Sequence, residues 1–323
     1  MHITVLFHGS CPDGYAAAFA CWQQFGEDAQ YLPVSYGQPI PAIPLEHTVY
    51  IVDFSYDAET LQRLLAERVH YRHGNYPQVI VIDHHKSAEQ DLLPLARQNL
   101  PGLAILFHMA ESGASLTWKY LHTVGWWDPN DPHIVASLDA AMPSFFHYVR
   151  DRDNWQWRLP NSRAISLAYW AIDKDFPSIA AFAQALDDAD GVHRIVTEGE
   201  AMQRYANRLT VEQALRWRPG FIGGHSCLIV NATCLFSEVG DWLCHEFSQK
   251  PPGILFVAYY FDRDDGKRQW GLRGHGTIDL SIVAKGYGGG GHHDAAGFVT
   301  SQDWQGDVPV DYGAVYVGTA VAQ

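Results

Sequence analysis

Apolar residues fall along the chain in two alternating arrangements. The runs Ile3 to Phe7, Val49 to Val52 and Val79 to Ile82 are apolar at nearly every position and rich in β-branched types. Such a run suits a strand buried on both faces, as in a parallel sheet. Between them the period changes. Gly14 to Phe25 (GYAAAFACWQQF) reads as a helix packed by alanines and aromatics. After the second run Leu61, Leu64, Leu65 and Val69 share one helical stripe, with Ser55 and Asp57 as caps. Strand, helix, strand, helix, strand at these spacings predicts an α/β fold, a parallel sheet covered by helices.

The polar residues that follow the strands share a chemistry. The three runs end on His8, on Asp53 and on Asp83-His84-His85, and the loop after the first adds Asp13. Ligands of open parallel sheets bind at the carboxyl ends of the strands. Solvated loops would carry mixed polar types; here every strand delivers a potential metal ligand to one edge. Carboxylates and imidazoles without thiolate pairs suit manganese or magnesium better than structural zinc. Asp53, alone at its strand end, is the expected bridge between two ions.

Further along, Ser112 to Leu121 starts a helix whose N–H groups could face an anion. Phe145 to Trp157 brings Asp151 and Asp153 after another apolar run, with Trp155 and Trp157 read as core rather than as stacking surfaces for a base. Ala180 to Leu186 and Val196 to Trp217 look helical, the second a connector. Pro219-Gly220 and Gly223-Gly224 punctuate the chain, so a boundary is expected near residue 218. Strands follow near Cys227 to Asn231, Ile254 to Phe261 and Gln269 to Arg273. The segment YGGGGHHDAAGF, Tyr287 to Phe298, combines glycines, two imidazoles and small residues suited to a helix start. Backbone N–H groups there could cradle an anion, with Arg273 as a bidentate phosphate partner or in a surface salt bridge.

Composition narrows the options. The 323 residues suit about two domains. Five cysteines without a C-x-x-C pair indicate neither a disulfide framework nor a structural zinc site. The net charge of −14, from 22 basic and 36 acidic residues, argues against tracking long duplexes. No apolar run approaches a membrane span, and the start lacks the features of a signal peptide, so a cytoplasmic location is the default expectation.

Together these segments resemble the DHH–DHHA1 phosphoesterases, which include RecJ, nano-RNases, cyclic-nucleotide phosphodiesterases and exopolyphosphatases. The resemblance rests on HGSCPDGYAAA, Asp53, Asp83-His84-His85, Asp151 and the distal GGGGHHDAAGF, in order over most of the chain. SGASLTW and Asp-Arg-Asp-x-Trp look most like the oligoribonuclease or cyclic-nucleotide phosphodiesterase branch. It implies a metal-binding catalytic domain over 1–192, a helical connector over 193–217 and a smaller α/β substrate-binding domain over 218–323, with the active site in a cleft between the domains. It implies one or two Mn2+ ions, or Mg2+ or Co2+, held by His8, Asp13, Asp53, His84 and Asp151. Asp83, His84 and His85 would be the catalytic set, Asp83 orienting a neighbouring imidazole. His85, Arg273, Gly290, Gly291 and His292 would hold the substrate phosphate. The expected substrate is a short oligonucleotide or small nucleotide; an exopolyphosphatase and a weakened nucleotide sensor are the alternatives. The family's first motif carries Asp-x-Asp-Gly where this chain reads Cys11-Pro12-Asp13-Gly14, which leaves Cys11, like Asp153, without a fixed role. Oligomeric state stays open, a homodimer included.

Overall fold

The computed structural model describes residues 2–9, 11–68, 70, 78–123, 128, 131–247 and 254–308. The chain divides into two compact units, Met1–Gln203 and Arg204–Gln323.

In the first unit β1 (Ile3–His8), α1 (Pro12–Phe25), β2 (Ala29–Val34), β3 (Thr48–Val52), α2 (Ala58–Glu67), β4 (Val79–Asp83), α3 (Lys86–Ala96) and β5 (Leu103–Phe107) alternate along the chain. The five strands are all parallel, in the order β2-β1-β3-β4-β5. Helices α4 (Gly113–Leu121), α5 (Pro132–Ala141), α6 (Ser144–Asp153), α7 (Ser162–Ala171) and α8 (Phe176–Ala185) follow, then the long α9 (Ala189–Ala214), which runs past Gln203 into the second unit. The α/β expectation therefore holds. The sequence reading missed both edge strands, β2, which Gln30 and Pro33 interrupt, and β5, although its run LAILF is apolar throughout.

Alternation along each strand divides the core. Val5, Phe7, Tyr50, Val52, Ile80 and Ile82 pack with the alanines of α1 and with Phe145, Phe146 and Ile165. Leu6, Val49, Ile51, Val79 and Val81 face Leu61, Leu64, Leu92 and Leu95 of α2 and α3. Helices thus cover both faces, which is why the strands lack the polar alternate positions of a half-exposed sheet. Asp57 caps α2 by accepting from the Thr60 amide at 2.8 Å; Val69, placed on the same stripe, lies outside the described residues.

The second unit contains β6 (Arg218–Ile222), β7 (His225–Asn231), α10 (Phe236–Phe247), β8 (Phe256–Asp262), β9 (Lys267–Arg273), α11 (Leu280–Lys285), β10 (Gly290–Gly291) and β11 (Ala295–Ser301). Its mixed sheet has the order β10-β11-β9-β8-β7-β6. The sequence reading of Ala295-Ala296-Gly297 as a helix start is corrected here: these residues open β11, with Ala296 opposite Leu272 and Gly297 opposite Gly271. A Cβ on Gly297 would lie 2.7 Å from the Trp270 carbonyl oxygen, so the small residues serve close packing within the sheet.

Candidate metal centre

Register explains why the side chains that could hold a metal converge. Phe7 pairs with Val52, and Val52 with Ile82. The next residues, His8, Asp53 and Asp83, therefore emerge side by side at the carboxyl edge. Asp53 adopts the left-handed region with φ of 53°, uncommon for a residue with a side chain and concentrated at functional sites. Its amide still donates to Ile82 O at 3.0 Å.

Asp53 lies between two imidazoles. Its Oδ1 is 3.2 Å from His84 Nε2, and its Oδ2 is 3.6 Å from His8 Nδ1 and 3.2 Å from Cys11 Sγ. Two further carboxylates reach the same His84 nitrogen, Asp13 at 3.6 Å and Asp153 at 3.4 Å. Asp13 and Asp53 are almost fully buried. Burial opposes the charge on Asp53, but hydrogen bonds with His8 and His84 hold its carboxyl well below the usual range. Burial, aided by Asp53 and Asp153, pushes Asp13 well up. Burial acts against the His84 cation, yet Asp153, Asp53 and Asp13 raise its pKa well above that of free imidazole. Three carboxylates crowd one imidazole, two of them buried and Asp153 partly exposed, and a divalent cation would offset that concentration of negative charge. Donors at right angles about 2.1 Å from an ion are ~3.0 Å apart, close to the separations around Asp53. The set fits a hard cation.

Asp83 performs a different task. Its Oδ1 meets His85 Nδ1 at 2.7 Å and accepts from the His84 amide at 2.7 Å, while Ser55 Oγ donates to its Oδ2 at 2.6 Å. The imidazole side chain it orients is that of His85. Although burial disfavours the cation, Asp83 raises the pKa of His85.

Asp151 requires correction. Its two oxygens accept from the backbone amides of Arg158 and Leu159 at 2.9 and 3.3 Å, so it fixes the loop after α6. The carboxylate of that segment beside His84 is Asp153. Trp155 and Trp157 are also not core: both are half-buried with positive φ, and Arg152 and Arg163 lie 4.4 and 4.1 Å from their ring centroids.

The anion facing the start of α4 is the protein's own Asp13, which accepts from the Gly113 and Ala114 amides at 2.6 and 3.0 Å. Gly113 is needed there. A Cβ on it would stand 2.4 Å from that of Asp53. Sequence reasoning did not find Gly113, nor Tyr36 and Phe54, whose rings flank His8, and it took Ser55 for a helix cap rather than the donor to Asp83. A serine or glycine carries no signal of its own until the fold brings it to the site.

Cys11 caps α1, its sulfur accepting from the Gly14 amide at 3.3 Å, and lies 3.2 Å from His8 Nδ1. Burial, with Asp53, Asp13 and Asp153 adding to it, pushes its thiol well up.

In the second unit Arg273 makes no salt bridge among the described residues. Its guanidinium donates to Ser237 Oγ and Leu272 O, both at 2.8 Å, and lies 5.3 Å from the centroid of the Tyr259 ring. In register it faces Ala295 of β11, which pairs with the strand formed by Gly290 and Gly291. The His292 amide closes this hairpin on Ala295 O at 2.7 Å.

No family model matches the chain. It is 24% identical to uncharacterized protein R106 of Acanthamoeba polyphaga mimivirus over 318 residues, 92% of this chain and 67% of that protein. It is 25% identical to oligoribonuclease NrnB of Bacillus subtilis over 264 residues, 78% of this chain and 59% of that protein. A RecJ structure from Thermus thermophilus in complex with Mn2+ aligns with a TM-score of 0.43 and 14% identity, over 93% of this chain and 50% of that one. The resemblance to the DHH–DHHA1 phosphoesterases thus rests on Asp83-His84-His85 at the carboxyl edge of a parallel sheet, on GGGGHHDAAGF around a hairpin of a second sheet, and on the similarity to NrnB over 78% of this chain.

Proposed function

We propose that the protein hydrolyses phosphoester bonds of short oligonucleotides or small nucleotides with a divalent cation, preferentially Mn2+. The observation that carries this reading is Asp53, buried and strained, with one carboxylate oxygen toward each of two imidazoles. His8, Asp13, Asp53, His84 and Asp153 would hold the ion or ions. Bound there, the cation would supply a nucleophilic hydroxide and offset charge on the phosphoryl oxygens. Asp83, fixed by Ser55, keeps His85 oriented and its imidazole readily protonated, suited to donate to a departing oxygen. Arg273 retains donors beyond those given to Ser237 and Leu272. With Gly290, Gly291 and His292 it is the proposed phosphate-binding group of the second unit.

The test is a panel of a dinucleotide, 3′-phosphoadenosine 5′-phosphate, cyclic AMP, a 24-mer and polyphosphate, assayed with Mn2+ and with chelator. Turnover of the short nucleotides that chelation abolishes is expected. Asp53→Asn, which tolerates the left-handed backbone, should lower turnover at least about a hundredfold, ~2.7 kcal/mol of barrier. It should also abolish the rise in Tm that Mn2+ gives the wild type. Preferred turnover of polyphosphate would favour an exopolyphosphatase. Tight nucleotide binding with no turnover in Mn2+ would favour a sensor.

A further inference from the structure

Tyr36 stands at the candidate metal centre without a task in the proposed chemistry. Register puts it there. His8 pairs with Val34, the last residue of β2, so the chain leaves the sheet beside His8 and Tyr36 follows two residues later. A tight turn then fixes its backbone. The Gln38 amide donates to Ser35 O at 3.1 Å, and Gly37 has a φ of 83°, the positive angle that favours glycine at the third position of such a turn. The Tyr36 ring packs on Phe54, with centroids 4.5 Å apart and planes tilted by 39°. It meets the rings of His8 and His85 edge to face, at 5.7 and 6.1 Å. Phe54 is 2% exposed but Tyr36 is 49% exposed. A single exposed aromatic is ordinary; one backed by a buried ring and set against two imidazoles of the site is placed to meet a ligand. Arginines lie over the rings of Trp155, Trp157 and Tyr259, whereas among the described residues no cation lies over Tyr36.

We infer that Tyr36 is the stacking platform for the base of a nucleotide whose phosphate lies at the candidate metal centre. It is then the residue that selects nucleotides over phosphoesters without a base. This rests on the phosphoester reading above and narrows its substrate class. Base and phosphate of a nucleotide are separated by one sugar, and the Tyr36 ring lies one ring's breadth from His85, the imidazole suited to donate to the departing oxygen. Turn and Phe54 hold the ring before a ligand arrives, so little side-chain entropy is lost on stacking. Every base presents a π-face, so such a platform favours nucleotides in general and chooses weakly among bases. Polyphosphate has no face to stack and is better served by lysines or arginines. The ring contacts of Tyr36 among the described residues are instead with Phe54, His8 and His85.

The experiment titrates AMP and ribose 5-phosphate, which differ only in the base, into the Mn2+-loaded full chain by calorimetry. The wild type should bind AMP about 5–150-fold more tightly, the equivalent of ~1–3 kcal/mol for one stacked base. Tyr36→Ala should erase that preference and leave the affinities for ribose 5-phosphate and Mn2+ unchanged. Tyr36→Leu keeps apolar contact with Phe54 but has no π-face; it should lose most of the preference too, and it serves if the alanine variant is unstable. Tyr36→Phe and Tyr36→Trp keep a ring and should retain it. An AMP preference that survives both ring-less variants would seat the base elsewhere and overturn the inference. A wild type that binds the two ligands equally would do the same, as would a phenylalanine variant that behaves like alanine, since the hydroxyl and not the ring would then be responsible. In turnover, Tyr36→Ala should raise KM for a dinucleotide by the same factor with kcat nearly kept, the mark of lost uniform binding. A chain that turns over no nucleotide fails the functional proposal, while the AMP titration still decides the stacking.

Discussion

At the scale of single residues, the candidate centre depends on small side chains as much as on the carboxylates and imidazoles that could hold a metal. Gly113 is the first residue of α4, where alanine is ordinarily harmless or better. Here the added methyl would stand 2.4 Å from the Cβ and 2.6 Å from Oδ1 of Asp53, which is held in a strained conformation. Gly113→Ala should cost about 1–3 kcal/mol by overpacking. It should weaken Mn2+ binding roughly 10–100-fold by moving a ligand, read by calorimetric titration; unchanged affinity would show that Asp53 yields freely. Cys11 invites the opposite expectation. Its sulfur caps α1, and serine is a preferred cap. Manganese prefers oxygen to sulfur, and desolvation with the neighbouring carboxylates raises the pKa of the half-buried thiol. Cys11→Ser should therefore retain the fold and keep Mn2+ affinity within about threefold. A folded serine variant that no longer binds metal would make the thiol an essential ligand.

At the scale of elements, α4 is positioned by a buried ion network. Glu111, just before the helix, accepts from Ser115 Oγ and from Lys119 Nζ, both at 2.7 Å, and from Arg150 of α6 at 3.0 Å. Asp139 of α5 completes it, 2.8 Å from both cations. Lys119 is fully buried. This cluster keeps the start of α4 where its amides hold Asp13. Burial acts to raise Glu111, but Arg150 and Lys119 outweigh it and hold its pKa below the ordinary 4.5. A depressed folded pKa contributes stability that is present above the unfolded value and is lost as pH falls through the folded one. Wild-type stability should thus decline below about pH 4.5, a part of the decline that Glu111→Gln lacks. At neutral pH that variant should be roughly 3 kcal/mol less stable, since it leaves buried charge less compensated, or about 6–12 °C in Tm for a unit of this size. Thermal melts across pH 3 to 7 would check both; parallel pH profiles for the two proteins would count against the network. The same elements show what sequence could reveal. Val79 to Ile82 was legible because its residues are apolar on both faces. β2 was not, because Gln30 and Pro33 interrupt it at a sheet edge. Asp151 and Asp153 differ by about 200° around α6, so only one can face His84, and pattern alone does not fix the helix's phase. Ala295-Ala296-Gly297 suits a helix or a close-packed strand equally until its partner β9 is known.

At the scale of the whole molecule, charge makes a prediction whose sign distinguishes short substrates from long ones. A nuclease that tracks long strands does so through many Lys and Arg contacts, and its binding weakens steeply as salt rises. This chain carries 36 acidic and only 22 basic residues. A dinucleotide brings few phosphates and engages local donors, so its binding should respond little to salt. A 24-mer must lay most of its phosphates over acidic surface, and their repulsion reaches about 30 Å at 0.01 M salt but only about 10 Å at 0.1 M. Raising salt between those limits should therefore lower KM for the 24-mer or leave it unchanged, the reverse of a basic nuclease. Catalytic efficiency should stay higher on the dinucleotide throughout. The comparison needs two substrates sharing a 5′ end, with Mn2+ fixed and salt the only variable. Equal or better turnover of the 24-mer at low salt, with KM rising steeply as salt is added, would reveal a basic track that the net charge conceals and would sink the preference for short substrates. A flat response for the dinucleotide beside a falling KM for the 24-mer would instead attribute the preference to long-range repulsion. That repulsion belongs to the surface as a whole, so introducing a single lysine near the centre should not remove it.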